Sequence, residues 1–490
     1  MTRSLQVRAG AYQDSVSLMV ISRDLRARTG VQSALVAMAT ELNLSLLAEM
    51  GFDPPGQASP NDMLVAIAGD DDAAIQDALA HLEAALVGGR GEETGGGGGS
   101  GPGAESIEPR TIGAAVRRGD ASLALISTPG SVAAIDAADA IAAGLDVMVF
   151  SDNVSVDHEV RLKELAARAG VLMMGPDCGT AVVGGCGLGF ANVVRPGPVG
   201  IVAASGTGAQ QLLALLDGAE IGVRHCLGVG GRDLSSAVAG RSTLAALDLL
   251  DSEEDVSVIV VLSKPPAPEV AAAVTGHAQT LQTPVVLGYL GADSRDITAT
   301  ARSVAEQLGV DWEEPPRWGG DAPSPRRGFL RGLFTGGTLC DEAMLIAQAR
   351  LGTVASNIPL AGQPELGAGM ASQGHTFIDF GDDALTVGRA HPMIDPTLRL
   401  ERLRTEMADA RCAVVLLDVV LGHGSHPDPA TDIIDVISGA ETPLVVSLVG
   451  TRDDPQGTHS TAERLAAAGA IVHASNAAAT REALSMVAGS

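Results

Sequence analysis

GIVAASGTGAQQLLALL (residues 200–216) and GLFTGGTLCDEAMLIAQ (residues 332–348) share one plan. Each opens with an apolar run, passes through a Gly- and Thr-rich turn and continues as a helical pattern. The downstream segments match as well. The first stretch is succeeded by LGVGGRDLS (227–235), VIVVLSKPPAPE (258–269) and TPVVLGYLG (283–291). The second is succeeded by FIDFGDDALTVG (377–388), AVVLLDVVLGHG (413–424) and TPLVVSLVG (442–450). Lys264 to Pro284 and His423 to Pro443 are both intervals of 20 residues. Order and spacing together indicate an internal repeat. Continuous apolar runs alternating with helices predict parallel strands buried on both faces. The chain is therefore expected to hold two flavodoxin-like α/β domains facing one another, with a last helix, strand and helix running to residue 490.

Working outward, residues 1–193 read as a further doubly wound, Rossmann-like domain. Its strand candidates are SALVAMAT (33–40), DMLVAIAG (62–69), SLALIST (122–128), DVMVFSD (146–152) and GVLMMGP (170–176). GGRGEETGGGGGSGPG (88–103) cannot pack and reads as an insertion within this domain; as flexible coil it spans roughly 20–25 Å. EEPPRWGGDAPSPRRG (313–328) has the prolines and charges of an exposed linker. The expected domains are thus 1–193, 194–312 and 329–490, with the linker at 313–328.

Composition sets limits on function. The 490 residues are 46% hydrophobic and 19% charged, which excludes a mostly disordered chain. A net charge of −27 argues against nucleic acid or an anionic membrane surface as partner. Sixty glycines against eleven aromatics favour backbone sites over stacking platforms. The N-terminus lacks a signal-peptide core, and apolar runs such as AVVLLDVVLG are about half the length of a membrane-spanning helix. Five scattered cysteines without a CxxC pair suit reduced thiols in the cytoplasm.

The two Gly-rich turns are the leading candidates for chemistry. Ser205 or Thr207 can cap a helix, and Gly206 and Gly208 allow close backbone approach. Free N–H groups and the helix dipole make such a start an anion site. Thr335, Gly336, Gly337 and Thr338 repeat the arrangement. Two such starts could converge on one phosphate, or each could be a plain cap. In GGRD, Arg232 could hold an anion and Asp233 orient it; equally, Asp233 could cap a helix with Arg232 in solvent. Lys264 follows a strand and points towards the cleft expected at the strands' carboxyl ends. In GPDCGT, Asp177 borders the same cleft, and Cys178 is a nucleophile only if its thiolate is stabilised; a small buried thiol is the plainer reading. Arg389 and His391, with Asp395, could clamp a substrate carboxylate or simply tie down a loop. His423 and His426 lack further spaced ligands, so no metal is expected.

SDNVSVDHE (151–159), MGPDCGT (174–180), ASGTG (204–208), GGRDLS (230–235), SKPP (263–266), TGGTL (335–339), DFGDD (379–383), VGRAHPMIDPTLR (387–399) and LLDVVLG (416–422) resemble the FdrA family along nearly the full chain. That family is similar to succinyl-CoA synthetase with pieces of its two subunits fused. The resemblance implies a CoA-binding-type domain, a first ligase-type domain like the α subunit, and a second like the β subunit at 329–490. In the ligases, helix starts matching ASGTG and TGGTL grip a phosphate between them. CoA is the cofactor implied.

Two departures limit what carries over. There is no room for an ATP-grasp domain. The ligases also phosphorylate a histidine after the strand matching TPVVLGYLG, whereas this chain has no histidine between His277 and His375. Gly276-His277-Ala278 precedes that strand. The N-terminal region also lacks a clear Gly-rich CoA loop. FdrA-family proteins are linked to oxamate carbamoyltransfer beside other subunits. The resemblance therefore implies carbamoyl phosphate and a small amide or carboxylate as substrates. Its phosphate would lie at Ser205, Gly206, Thr207, Gly208, Thr335, Gly336, Gly337 and Thr338, assisted by Lys264 or Arg232. The alternatives are an acyl-CoA ligase-like enzyme whose nucleotide handling a partner supplies, and a non-catalytic scaffold.

Overall fold

A computed structural model of the chain describes residues 2–9, 11, 15–26, 28–40, 43–44, 47–48, 50–53, 55, 58–59, 62–88, 109, 111–291, 295–367, 369–386 and 390–488. Two compact units result, one from residues 1–108 with 386–390 and one from 109–385 with 391–490.

The first unit corrects the doubly wound reading of the N-terminal part. Strand β1 (Thr2–Arg8), helix α1 (Ser15–Arg26), β2 (Val31–Met38), β3 (Met63–Gly69) and α2 (Asp72–Gly88) form a three-stranded sheet in the order β1-β3-β2. Strand β3 is antiparallel to both neighbours, a split β-α-β arrangement. It reads as a parallel-sheet strand because both its faces are covered. Val65 and Ile67 pack with Leu18, Leu25 and Leu82, while Leu64, Ala66 and Ala68 pack with Leu47 and Phe52. Helix α2 ends at Gly88, and the rest of the Gly-rich insertion lies outside the described residues.

The second unit begins with α3 (Ile112–Val116), β4 (Leu123–Ile126), α4 (Gly130–Ala142), β5 (Asp146–Val149), α5 (Val156–Ala169) and β6 (Met173–Met174). Its three strands are parallel in the order β4-β5-β6, so the Rossmann-like part is a short sheet confined to this stretch. Val147 and Val149 pack under α4 and α5, whereas Met148 and Met174 face the next layer through Leu227 and Leu247.

That next layer is the first half of the repeat. It comprises β7 (Thr180–Val183), β8 (Cys186–Gly189), β9 (Val199–Ala204), α6 (Gly206–Gly218), β10 (Val223–Gly228), α7 (Arg241–Asp251), β11 (Val258–Ser263), α8 (Pro268–Ala278), β12 (Val285–Tyr289) and α9 (Ile297–Leu308). The sheet runs β12-β11-β9-β10-β7-β8, so residues 180–189 extend this sheet instead of belonging to the domain before it. His277 lies on α8, ahead of β12.

The second half comprises β13 (Arg317–Trp318), β14 (Phe329–Phe334), α10 (Gly337–Leu351), β15 (Ala355–Ser356), β16 (Thr376–Asp379), α11 (Asp383–Thr386), α12 (Thr397–Ala408), β17 (Cys412–Val420), α13 (Pro429–Ile437), β18 (Leu444–Val449), α14 (Thr458–Ala467), β19 (Ile471–His473) and α15 (Asn476–Ser485). Its order is β13-β19-β18-β17-β14-β16-β15. The runs β12-β11-β9-β10 and β18-β17-β14-β16 have the same topology and all-parallel pairing, as the repeat requires. Stretch 313–328 is more than a linker: β13 pairs antiparallel with β19.

The halves share one core. Leu212, Leu216, Val304 and Ala305 of the first pack in the same cluster as Leu339, Ala343, Ala479 and Ala483 of the second. Buried amides tie the joint. Gln211 donates to the Ala474 carbonyl at 3.0 Å and accepts from Asn476 N at 3.1 Å, while Asn476 donates to Glu342 at 2.7 Å.

Candidate functional site

In each half the chain leaves the first strand for one neighbour and returns on the other side. The resulting switch point lies at the carboxyl ends of β9 and β11, and of β14 and β17, where open α/β sheets bind ligands. Ser205 follows β9 and Lys264 follows β11; Thr335 follows β14.

The structure brings the two turns together. Ser205 caps α6 by accepting from Gly208 N at 3.0 Å, and its hydroxyl donates to Thr338 Oγ1 at 2.7 Å. A Cβ on Gly336 would lie 2.0 Å from Thr207 Oγ1, so only glycine permits this approach. The helix starts abut, and the space directly between them is filled by Thr207. One side stays open: a Cβ on Gly206 would meet nothing closer than Thr180 Oγ1 at 4.0 Å. Ser205 takes up the Gly208 N–H, leaving those of Gly206 and Thr207 for another acceptor.

The turn ahead of the second helix is held by an internal anion. Asp418, near the end of β17, accepts from Thr335 N at 2.8 Å and Thr335 Oγ1 at 2.9 Å. Arg399 donates to the same carboxylate at 2.7 Å. Strand pairing sets Leu262 against Ala203 and Leu417 against Leu333, so Asp418 stands where the first half has Ser263. The first half instead follows Ser263 with a cation, Lys264. The duplicated turns have thus diverged in charge: an acid, Asp418, holds the turn that leads into α10, and Ser263 takes its place in the first half.

Lys264 reaches across to the second half. Its ammonium lies 3.6 Å from Asp341, and a Cβ on Gly337 would be 2.6 Å from Lys264 Nζ and 2.8 Å from Asp379 Oδ2. Burial alone would lower the lysine's pKa, but Asp341, Asp379 and Asp177 outweigh it and the net shift is upward. The side chain as a whole keeps 38% of its surface accessible. Burial pushes the Asp379 carboxyl up to about 7 against the pull of Lys264, and raises Asp341 likewise. Asp177, with φ of 58°, is exposed at the rim; crowding, then Asp383, raise its carboxyl while Lys264 opposes them. His391 borders the same place, its Nε2 being 2.8 Å from a Cβ on Gly381. Burial, helped by Arg399, lowers it to about 4, so the ring is neutral. Met393 N donates to Nδ1 at 3.3 Å, which leaves the proton on Nε2.

Other expected site residues are engaged elsewhere. Asp233 is buried and accepts from Lys163 Nζ at 2.7 Å, Thr243 N at 2.9 Å and Thr243 Oγ1 at 2.7 Å; it caps α7 and has no capacity left for catalysis. Arg232 donates to the Val154 carbonyl at 2.8 Å and pairs with Glu159 at 3.0 Å. Cys178 packs beneath Gly228, and burial raises its thiol far above the ordinary range, which removes it as a thiolate nucleophile. Arg389 lies outside the described residues. His426 Nδ1 accepts from Asp428 N at 3.2 Å, and His423 joins Ala191 through backbone bonds. Among the described residues no group of three or more His, Cys, Asp or Glu side chains is placed to hold a metal. Sequence reasoning missed Asp379, Asp341 and Asp418 as site groups. Aligning the repeat halves residue by residue would have flagged Asp418, a charge facing Ser263.

Fold and site together define a CoA-ligase-type α/β protein. Residues 333–486 match the CoA-ligase family, and residues 1–101 match the family described as AllF, heavy metal-associated domain. Those first 101 residues contain no cysteine, so they offer no thiolate to a soft metal. Across 97% of both chains the sequence is 37% identical to "Uncharacterized protein YahF" of Escherichia coli K12. The chain belongs to the YahF family. It is also 29% identical to subunit alpha 2 of the ADP-forming succinate–CoA ligase of Archaeoglobus fulgidus, over 31% of this chain and 52% of that one. Among solved structures, the dinucleotide-forming acetyl-coenzyme A synthetase 1 of Ca. Korarchaeum cryptofilum, in complex with phosphate and ADP, overlaps 79% of this chain and 87% of its own. The TM-score is 0.29 and the identity 16%, too loose to carry site residues across. No helix among the described residues is long and apolar enough to cross a membrane.

Proposed function

We propose that this chain is the phosphate-handling part of a CoA-ligase-type acyl transfer, binding a small acyl phosphate at the start of α6. One observation carries the reading: a helix start left open at Gly206, at a topological switch point whose neighbouring strand β11 ends just before Lys264. The N–H groups of Gly206 and Thr207 would receive the phosphate oxygens, and Lys264 would neutralise charge growing on the leaving group. In the transfer, a nucleophile H–X attacks the acyl carbon. The C–X bond forms, the C–O bond to phosphate breaks with its electron pair leaving on phosphate, and the proton of H–X passes to a carboxylate. Asp379, held near 7 beside Lys264, suits that last task.

CoA is the acceptor that the ligase families suggest, but its polyanionic end does not fit the sheet edge expected to take it. Asp152 and Asp177 follow β5 and β6 there, and Arg232 is already held by Glu159 and Val154. No step is therefore routed through CoA. A second reading, carbamoyl transfer to an amide such as oxamate within a multisubunit complex of FdrA type, is favoured by the lack of histidine between His277 and His375. Without it the phosphate must arrive already activated. Companion subunits would supply acceptor or nucleotide handling.

The test is phosphate release by the purified full chain, with and without companion subunits. Acetyl phosphate with CoA and carbamoyl phosphate with oxamate are compared, alongside calorimetric binding of inorganic phosphate. Binding with turnover of one pair selects the acceptor. No phosphate binding under any condition would sink the reading.

A further inference from the structure

Thr180 opens β7 and is 2% exposed, yet its hydroxyl has no hydrogen-bond partner among the described residues. A buried, unpaired hydroxyl costs about 1–3 kcal/mol, so its persistence asks for a reason. Its backbone lies in register with Gly189, and its carbonyl accepts from Cys178 Sγ at 3.6 Å. The hydroxyl oxygen is also the atom nearest the open side of Gly206, 4.0 Å from where a Cβ there would stand. The Thr180 hydroxyl and the start of α6 at Gly206 therefore border the same small space. They come from different elements, β7 and α6, and α6 is thirteen residues long. Directly between the two helix starts there is no such room, because Thr207 fills the space against Gly336.

We infer that Thr180 is a direct ligand of the phosphate group, donating its hydroxyl to an oxygen held by the start of α6. This places the phosphate on the β7 side of the first helix, not in the seam between the helices. It rests on the phosphate-binding reading proposed above and adds a specificity-determining contact to it. A hydroxyl given to a dianion is a charge-assisted bond, worth roughly tenfold or more in affinity.

Thr180→Val keeps the shape and removes the donor; Thr180→Ser keeps the donor. Each full-length variant is titrated calorimetrically with inorganic phosphate and with acetyl phosphate, and melted in phosphate-free buffer. The expected result is phosphate affinity at least about tenfold weaker in T180V and within about threefold of the parent in T180S. The T180V melting temperature should be equal or higher, since no native hydrogen bond is lost. Parent-like affinity in T180V overturns the inference while leaving the helix-start reading intact. A marked drop in its melting temperature without phosphate also overturns it, by exposing a structural partner. If the parent itself binds neither probe, the underlying reading falls first.

Discussion

Ser205 donates its hydroxyl to Thr338 at 2.7 Å across the joint between the two halves, although 133 positions separate them in the chain. Each residue stands in the turn that follows the first strand of its own half. The repeat is therefore expressed as contact: equivalent turns meet each other. What they do not share is charge: Asp418 holds Thr335 ahead of the second helix, where the first half has Ser263 and then Lys264, whose ammonium reaches Asp341 on α10 at 3.6 Å.

Glycine substitutions should separate the open side from the closed one. Gly206→Val places its side chain in free space, so the fold should survive, with melting temperature within a few degrees of the parent. Phosphate binding should be lost, because the side chain would occupy the approach to the helix start. Gly336→Ala puts a methyl 2.0 Å from Thr207 Oγ1 and should destabilise by several kcal/mol through overpacking at the joint. Normal phosphate binding by Gly206→Val would show that this helix start is structural only.

Removing Asp418 tests the internal anion. Arg399 is 4% exposed, and Asp418→Ala leaves it buried without its counter-charge, which costs about 3–5 kcal/mol. Adding Arg399→Met should cost little more, or recover part of the loss. Urea unfolding of the two single variants and the double variant gives the coupling directly. Additive losses would mean that the two charges do not depend on each other.

Much of this arrangement was legible in the sequence. The period of the repeat gave both parallel sheets, and a Gly- and Thr-rich turn at matching positions placed the two helix starts together. Lys264 followed from its position after a strand. The N-terminal sheet was not legible, because β3 is buried on both faces and an apolar run carries no sign of pairing direction. Nor were the partners of buried charges. Asp233 looks free in GGRD until Lys163, 70 positions earlier, is found against it. Asp418 reaches Thr335 over 83 positions. Long-range ion pairs of this kind leave no local pattern.

Lys264→Met should remove a cation that Asp341, Asp379 and Asp177 all face. Phosphate affinity should fall at least about tenfold. The three carboxyls, already raised, should rise further. At pH 8 the buried pair Asp341 and Asp379 must then ionise without that cation, so the variant should lose more stability at pH 8 than at pH 5. Chemical denaturation at both values is the measurement, and an equal loss at each would contradict the proposed charge cluster.

Glu342 gives the protein a pH-dependent stability of predictable sign. It is 2% exposed on α10, accepts from Ile297 N at 2.7 Å and from Asn476 Nδ2 at 2.7 Å, and joins the halves where α9 starts. Burial still wins over these bonds and pushes its carboxyl up to about 7, from an ordinary value of 4.5. Between those two values the folded chain holds a proton that the unfolded chain has released. Stability must therefore fall as pH rises through this window, then level off above it. At about 1.4 kcal/mol per unit, the full contribution is about 3 kcal/mol. Glu342→Gln cannot ionise, so its stability should fall less between pH 5 and pH 8 than the parent's by about that amount. Asp379, raised in the same direction, keeps part of the slope in the variant, and the difference between the two proteins isolates Glu342. Parallel pH profiles for parent and variant would mean that Glu342 is ionised in the fold at pH 5 and that its two donors, not burial, set its charge.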